Sequence, residues 1–445
     1  MIEVKDKMKL GCLFIILSCL IVSGCGNRKN KNIDAENAID KRIEIFPEER
    51  NIPYEKPWHY EIPPRVNLSN WTSTDSTQSL YYPENMEAVD TFNSKRIMNV
   101  DAESSKLDDF ISMPIIKHNI VYVKNNNSIV SAYSLESGKK IWSQHLSEDK
   151  KKLNFIGGGL SEENGIMYCS FGGNEIVALE AETGNEIWRA RLSSIIRATP
   201  TYGYGKIFVR SLDNKFFILD AKNGSLLYVM DTGVESLVRA SKATSVPYKN
   251  GTMLLSNSSG IISLIKDNEG ESIWSANIAF YENPLRSIIM NDISMTPVIR
   301  KNIVYAASQI GTLTAIDIGT GNLRWNHVIH GIENVWIAGD GLFIIDDTND
   351  LWHLNAYSGL ARWKVKLPDL LGKLYRGGRF YGPTMINGNL FIATSFGKLL
   401  EVSPKNGELI TTHEIPVEKS SIPIAINGKV LILSASGKLT ILSSQ

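Results

Sequence analysis

The chain has almost no cysteine outside its N-terminal region: of four, Cys12, Cys19 and Cys25 stand near the start and only Cys169 lies beyond. A disulfide framework for the body of the protein is thereby excluded. Stability must come from a large apolar core, which a chain of 445 residues can build. Cys169, in the apolar run Ile166–Phe171, is expected as a small buried hydrophobe. Neither sign of charge is in excess, since 47 Lys and Arg balance 47 Asp and Glu. That argues against nucleic acid as a partner, because neutralising phosphates needs a basic face. Also missing are His-Glu-x-x-His, Gly-x-Ser-x-Gly, a Walker loop and Cys-x-x-Cys, so no catalytic residue, metal or cofactor is expected. His327 and His330 lack a third ligand nearby in sequence. The acidic stretch from Asp346 to Asp350 falls between two apolar runs and reads as a hairpin turn. Gly157, Gly158 and Gly159 read as part of an innermost strand, where crowding favours residues without side chains.

Long apolar runs are absent too, with one exception. Lys5, Lys7 and Lys9 precede a run from Leu10 to Ser23 that ends in Gly24 and Cys25. A basic start, a short apolar stretch and small residues at its end make a secretory signal. The run is too short for a membrane-spanning helix. Val22-Ser23-Gly24-Cys25 is similar to a bacterial lipobox, in which the cysteine thiol is acylated. The expectation is a signal peptide over residues 1–24 and lipidation at Cys25, with Met8 an alternative start. The chain then turns polar, and Pro47, Pro53, Pro57, Pro63 and Pro64 prevent regular structure. Residues 25–66 therefore read as a mobile tether and residues 67–445 as the folded domain.

Within that domain a phrase recurs: an apolar strand, an Asp/Asn/Ser-Gly turn, then a strand carrying Trp. Clear copies end at Trp142, Trp188, Trp274, Trp325 and Trp363, and a further one carries Tyr228 in place of Trp after Asp220-Ala-Lys-Asn-Gly224. A period of about 40 residues with strand content alone means a β-propeller. Each unit divides into four short strands separated by Gly, Asn and Asp turns, as in Thr199–Tyr202, Lys206–Arg210, Lys215–Leu219 and Ser225–Met230. Units start near Ile111, Phe155, Ile196, Ala243, Ile293, Val335, Phe380 and Ser420. The last has only three strands before the chain ends, and an open edge would leave the ring unclosed. Lys95–Asp101 has the length and apolar content to supply the fourth. The expected fold is all-β: an eight-bladed propeller of four-stranded antiparallel blades, closed by an N-terminal strand, with seven blades as the alternative. The Trp residues are expected to fill the wedges between blades.

These repeats resemble the quinoprotein propeller repeat, and Thr296-Pro297 through Ala315-Ile316-Asp317 to Trp325 follows it closely. Two groups use that repeat: quinone-dependent dehydrogenases and the BamB lipoproteins of the outer-membrane β-barrel assembly machinery. The dehydrogenases carry an adjacent cysteine pair against the quinone, and this chain has none beyond its N-terminal region. With the lipobox and the blade count, the resemblance to the BamB family covers nearly the whole chain. It implies a non-enzymatic scaffold on the periplasmic face of the outer membrane. Gly26 after the cysteine, in place of the Asp that retains many lipoproteins in the inner membrane, agrees with that location. The implied partner is the POTRA region of BamA, with nascent outer-membrane proteins as a further contact; a lipoprotein serving another envelope partner is the alternative.

In that family, contact runs through two inter-blade loops. Ile195, Ile196 and Arg197, ahead of Pro200, match the apolar-Arg loop, and Asp292 with Ser294, ahead of Pro297, matches the acidic loop with Ser294 in place of its second acid. Loops joining an outer to an inner strand all emerge on one face of a ring, so these two are expected to share it, together with the segment 279–291. The competing reading is that Ile195 and Ile196 tuck between blades and Arg197 pairs with a neighbouring acid. Arg376 and Arg379 are weaker candidates in another such loop.

Overall fold

A blade is built from hairpins, and the turns dictate where they fold back. Asn164-Gly165, Asn250-Gly251, Asn387-Gly388 and Asn427-Gly428 each place two successive residues at positive φ. That is the two-residue turn whose twist matches antiparallel strands, and Asn-Gly tolerates it best. The computed structural model describes residues 52–72, 83–103, 112–147, 157–232, 243–268, 270–278, 292–293, 295–308, 311–375 and 377–444. Over these the chain forms eight four-stranded antiparallel sheets, the expected eight-bladed propeller. The innermost strands begin close to the expected starts, for example Leu160–Glu163, Thr201–Gly203, Val335–Ala338 and Ile424–Ile426.

The recurring Gly and Trp are two halves of one contact. In blades one to six the outermost strand sends its aromatic onto the next blade, over the glycine in the turn before that blade's own outer strand. A Cβ added at Gly184 would lie 2.6 Å from the Trp142 ring, and one at Gly224 would lie 2.4 Å from Trp188. The indole N–H then donates to the carbonyl three residues before that glycine: Trp142 to Ala181 at 3.0 Å, Trp188 to Ala221 at 3.0 Å, Trp274 to Ile318 at 2.7 Å, Trp325 to Ala356 at 3.0 Å and Trp363 to Pro404 at 3.0 Å. Tyr228 performs the same task, its hydroxyl donating to Asp267 at 2.7 Å. Gly224 has a φ of 73°, so any side chain there is strained twice, by its own backbone and by the ring. Gly224→Ala is expected to destabilise by roughly 2–5 kcal/mol, read from the denaturant midpoint, from left-handed strain and overpacking together.

Closure follows the expected route. The fourth strand of blade eight is Ser94–Glu103, paired antiparallel with the C-terminal strand Ser436–Ser443. Where other outer strands carry Trp, Arg96 pairs with Ile441 and donates to the carbonyls of Leu135 and Glu136 in blade one. Leu135 lies three residues before Gly138, and Met98 packs against the space a Cβ there would fill. An arginine and a methionine thus divide the work of one tryptophan.

Two expectations need correction. Gly157, Gly158 and Gly159 precede the innermost strand Leu160–Glu163 instead of lying on it. Their smallness is still required, since a Cβ at Gly158 would sit 2.3 Å from the Ser170 carbonyl oxygen. The segment expected to be a mobile tether up to residue 66 is packed on the ring from Ile52 onward. Glu55 N–H donates to Ala361 O and Ala361 N–H to Pro53 O in blade six, at 2.8 and 2.9 Å. Arg362 is enclosed there by Glu55 at 2.9 Å and Asp340 at 2.6 Å, with the Trp58 and Tyr60 rings beside it. Farther along, Met86 and Val89 bond the inner hairpins of blades seven and eight, Leu68 that of blade eight, Trp71 the inner strand of blade one and Thr72 that of blade two. Prolines excluded regular structure but not packing, because irregular backbone can still donate to and accept from turns. Residues 1–51, including the signal segment and Cys25, lie outside the described residues.

Candidate functional site

The loop between blades two and three is fixed by its backbone and alternates its side chains. Ile196 N–H donates to Gly173 O at 2.7 Å, and Leu212 N–H donates to Ile195 O at 2.8 Å. With both neighbours pinned, Ile196 points into the core and is fully buried, while Ile195 is left 43% exposed. Arg197 follows, half-buried, its carbonyl accepting from Gly158 N–H at 2.7 Å. A Cβ on Gly157 would approach the Arg197 Cβ to 3.0 Å, so the glycines give the arginine stem room to lie flat. No carboxylate pairs with the Arg197 guanidinium among the described residues. The loop thus presents an aliphatic side chain beside a cation. Asp213, in the neighbouring turn of blade three, is bonded by Ser211 at 2.6 Å. Burial pushes its carboxyl up, but hydrogen bonds from Ser194, Ser211 and Lys215 outweigh that and bring it down to about 2. It stays charged and ties Ser194, at the head of the loop, to the turn.

Asp292 behaves differently from the expectation. It is fully buried, and its carboxylate lies 3.4 Å from both terminal nitrogens of Arg210, itself buried at the end of the strand Lys206–Arg210. Arg210 also donates to Ser256 O at 3.0 Å, so a single guanidinium joins blades three, four and five. An acid in this position cannot offer its charge at the surface. The fold does bring the two nominated loops to the same end of the ring, since Ser211, next to Arg210, is bridged to Ile196. Sequence reasoning missed Arg210; the signal was a cation directly after the apolar run Ile207-Phe208-Val209. Ser294 and Arg376 lie outside the described residues. Arg379 is exposed, 4.0 Å from Glu333.

The remaining candidates for chemistry are consumed by the fold. Asp346 accepts from the N–H groups of Thr348 and Asp350 and from the Trp352 indole at 2.8 Å, which makes it the hinge of its turn. His327 stacks on Trp325 with its Nε2 2.8 Å from Gly359 O, and burial lowers its pKa. His353 is packed against Phe343, and burial together with Arg362 holds it neutral, down to about 3. Burial pushes the Cys169 thiol well above the usual range, so it is an inert core group. Among the described residues no cluster of His, Cys, Asp and Glu is placed to hold a metal ion.

Comparison with known proteins gives consistent relatives. The family model of the outer membrane protein assembly factor BamB matches residues 125–365, more than half of the chain. The outer membrane protein assembly factor BamB of Salmonella typhimurium is 24% identical over 332 residues, covering 73% of this chain and 82% of that protein. An uncharacterized protein of Rickettsia prowazekii is 27% identical over 369 residues, covering 82% and 79%. Among solved structures, BamB from Moraxella catarrhalis superposes with a TM-score of 0.66 at 18% identity, covering 79% of this chain and 99% of that one. The quinohemoprotein alcohol dehydrogenase of Comamonas testosteroni gives 0.62 at 12% identity, covering 85% and 81%, which reflects the shared propeller.

Proposed function

Because the chain belongs to the outer membrane protein assembly factor BamB family, we propose that it is a non-enzymatic scaffold of outer-membrane β-barrel assembly. In this reading it is held at the periplasmic face of the outer membrane by lipid on Cys25, with residues 1–24 removed as a signal. It docks on the POTRA region of BamA through Ile195 and Arg197. The observation that carries the docking reading is the pinned loop that leaves Ile195 exposed beside a guanidinium with no carboxylate partner among the described residues. An aliphatic side chain next to a cation on a rigid loop is the composition of an interface anchor. Ile196 and Asp292 support that loop from beneath, Ile196 by core packing and Asp292 through Arg210. Ser294 belongs to the same loop as Asp292 and stays in the proposal as a flanking contact.

The dehydrogenase reading has little support in the residues. A quinone site of that kind uses an adjacent cysteine pair, and beyond the N-terminal region this chain has only Cys169, sealed in the core. The deciding experiment is co-purification from solubilised envelopes through a C-terminal tag. BamA recovered in stoichiometric amount is the expected outcome. Recovery of a different envelope protein in its place would remove the assembly role and leave the propeller.

A further inference from the structure

The outermost strand of each blade has one edge with no neighbouring strand in its sheet. Such an edge carries open N–H and C=O groups and can template another strand. In blade six the molecule occupies this edge itself. Pro53–Glu55 runs parallel to the first residue of the outer strand Ala361–Lys366, taking the N–H and the carbonyl of Ala361. The next residue, Arg362, is met by the Glu55 carboxylate at 2.9 Å and by the Trp58 ring. The seated segment therefore pairs its main chain with the first outer-strand residue and matches its side chains to the second.

The same two positions recur in the other blades from one to seven, set off from the third strand by a bulge: Lys140 and Ile141, Glu186 and Ile187, Leu226 and Leu227, Ser272 and Ile273, Leu323 and Arg324, Leu409 and Ile410. In blade three both are aliphatic and open, Leu226 being 52% and Leu227 45% exposed, and Val229 continues the face at 42%. Among the described residues no other outer strand exposes more than one large apolar side chain. The charges that guard edges elsewhere, such as Lys140, Arg189 with Arg191, or Arg324, have no counterpart in blade three before Asp231.

We infer that the outer edge of blade three, Leu226–Val229, docks an extended segment of alternating apolar residues from another protein, seated as Pro53–Glu55 is seated on blade six. The chemistry of the occupant follows from the rim residue: the cationic Arg362 is met by an acid and a ring face, whereas the aliphatic Leu227 and Val229 call for apolar side chains on the incoming strand. Main-chain pairing supplies affinity and the alternate side chains supply selectivity. This edge is separate from the loop at Ile195 and Arg197 and does not depend on what that loop binds.

The test is fluorescence anisotropy with the purified full-length folded chain and a labelled peptide of alternating valine and threonine. Saturable micromolar binding is expected, weakened about tenfold or more in the Leu227→Lys, Val229→Lys double variant. Ile410→Lys, an exposed rim change in blade seven, is expected to leave it unchanged, and Leu227→Ser with Val229→Thr guards against a folding defect in the lysine variant. A peptide N-methylated at alternate residues is expected to bind poorly. Absence of binding by the parent protein, equal binding by the double variants, or equal binding of the N-methylated peptide would each overturn the inference.

Discussion

Exchange of Arg197 for glutamate is expected to abolish partner capture while the unfolding midpoint falls only slightly. The guanidinium has no carboxylate partner among the described residues, so reversing its charge strands no buried anion. The loop itself is held by main-chain bonds to Gly173, Leu212 and Gly158, which any side chain leaves intact. Arg197 is half-buried with its Nε enclosed, so the change costs about 1 kcal/mol of stability and leaves the fold in place. Binding is another matter, because an interface anchor of this composition contributes roughly 2 kcal/mol or more, and a reversed charge adds repulsion. Arg197→Ala, by pull-down or by titration against the purified partner, is expected to lose about thirtyfold, with Arg197→Glu beyond detection. Unchanged capture in both variants would remove Arg197 from the site.

Asp292→Ala is expected to show the reverse pattern, a large loss of stability that drags binding with it. The carboxylate is fully buried against Arg210, and removing it takes this countercharge from a guanidinium in the interior. Breaking a buried pair from one side costs about 3–5 kcal/mol. Denaturant unfolding should report that loss, and Asp292→Asn should fall between alanine and the parent, keeping an acceptor for Arg210 while giving up the charge. The double variant Arg210→Met, Asp292→Leu supplies the control: replacing both members by apolar groups is often neutral, so much of the lost stability should return. If the double variant is as unstable as Asp292→Ala, the junction depends on Arg210 for its bond to Ser256 O as well.

The ring was legible in the sequence because its determinants are local and repeated. The glycine turn and the aromatic that lies on it are printed together in each unit, so the period alone led to eight blades and to the closing strand near Lys95. Even the exceptions obey the rule. Blade seven carries Thr411 at the register position of Trp, pairing with Glu401, and the blade after it has no turn between its third and fourth strands for a tryptophan to cover. What could not be read depends on burial set by neighbouring blades. Asp292 follows Asn291 at a blade junction and looks exposed in one dimension, yet three blades meet over it. The packing of residues 52–72 was equally hidden, since bonds from proline-rich backbone to hairpin turns leave no periodic trace.

The pairing of Ser94–Glu103 with Ser436–Ser443 has a consequence for how the protein is made. Blades one to seven each consist of consecutive residues and can assemble as the chain emerges, but blade eight cannot exist until the last strand has been delivered. The earliest strand of the ring must wait, unpaired, for the latest. Its contact is strongly non-local, joining Ser94 to Ser443, the kind that forms slowly. Until that strand is paired the array is an arc with two open ends, and the pairing turns it into a ring. Loss of the C-terminal strand would therefore remove more than one strand's worth of order: it would free the N-terminal strand as well and leave blades one and seven facing a gap.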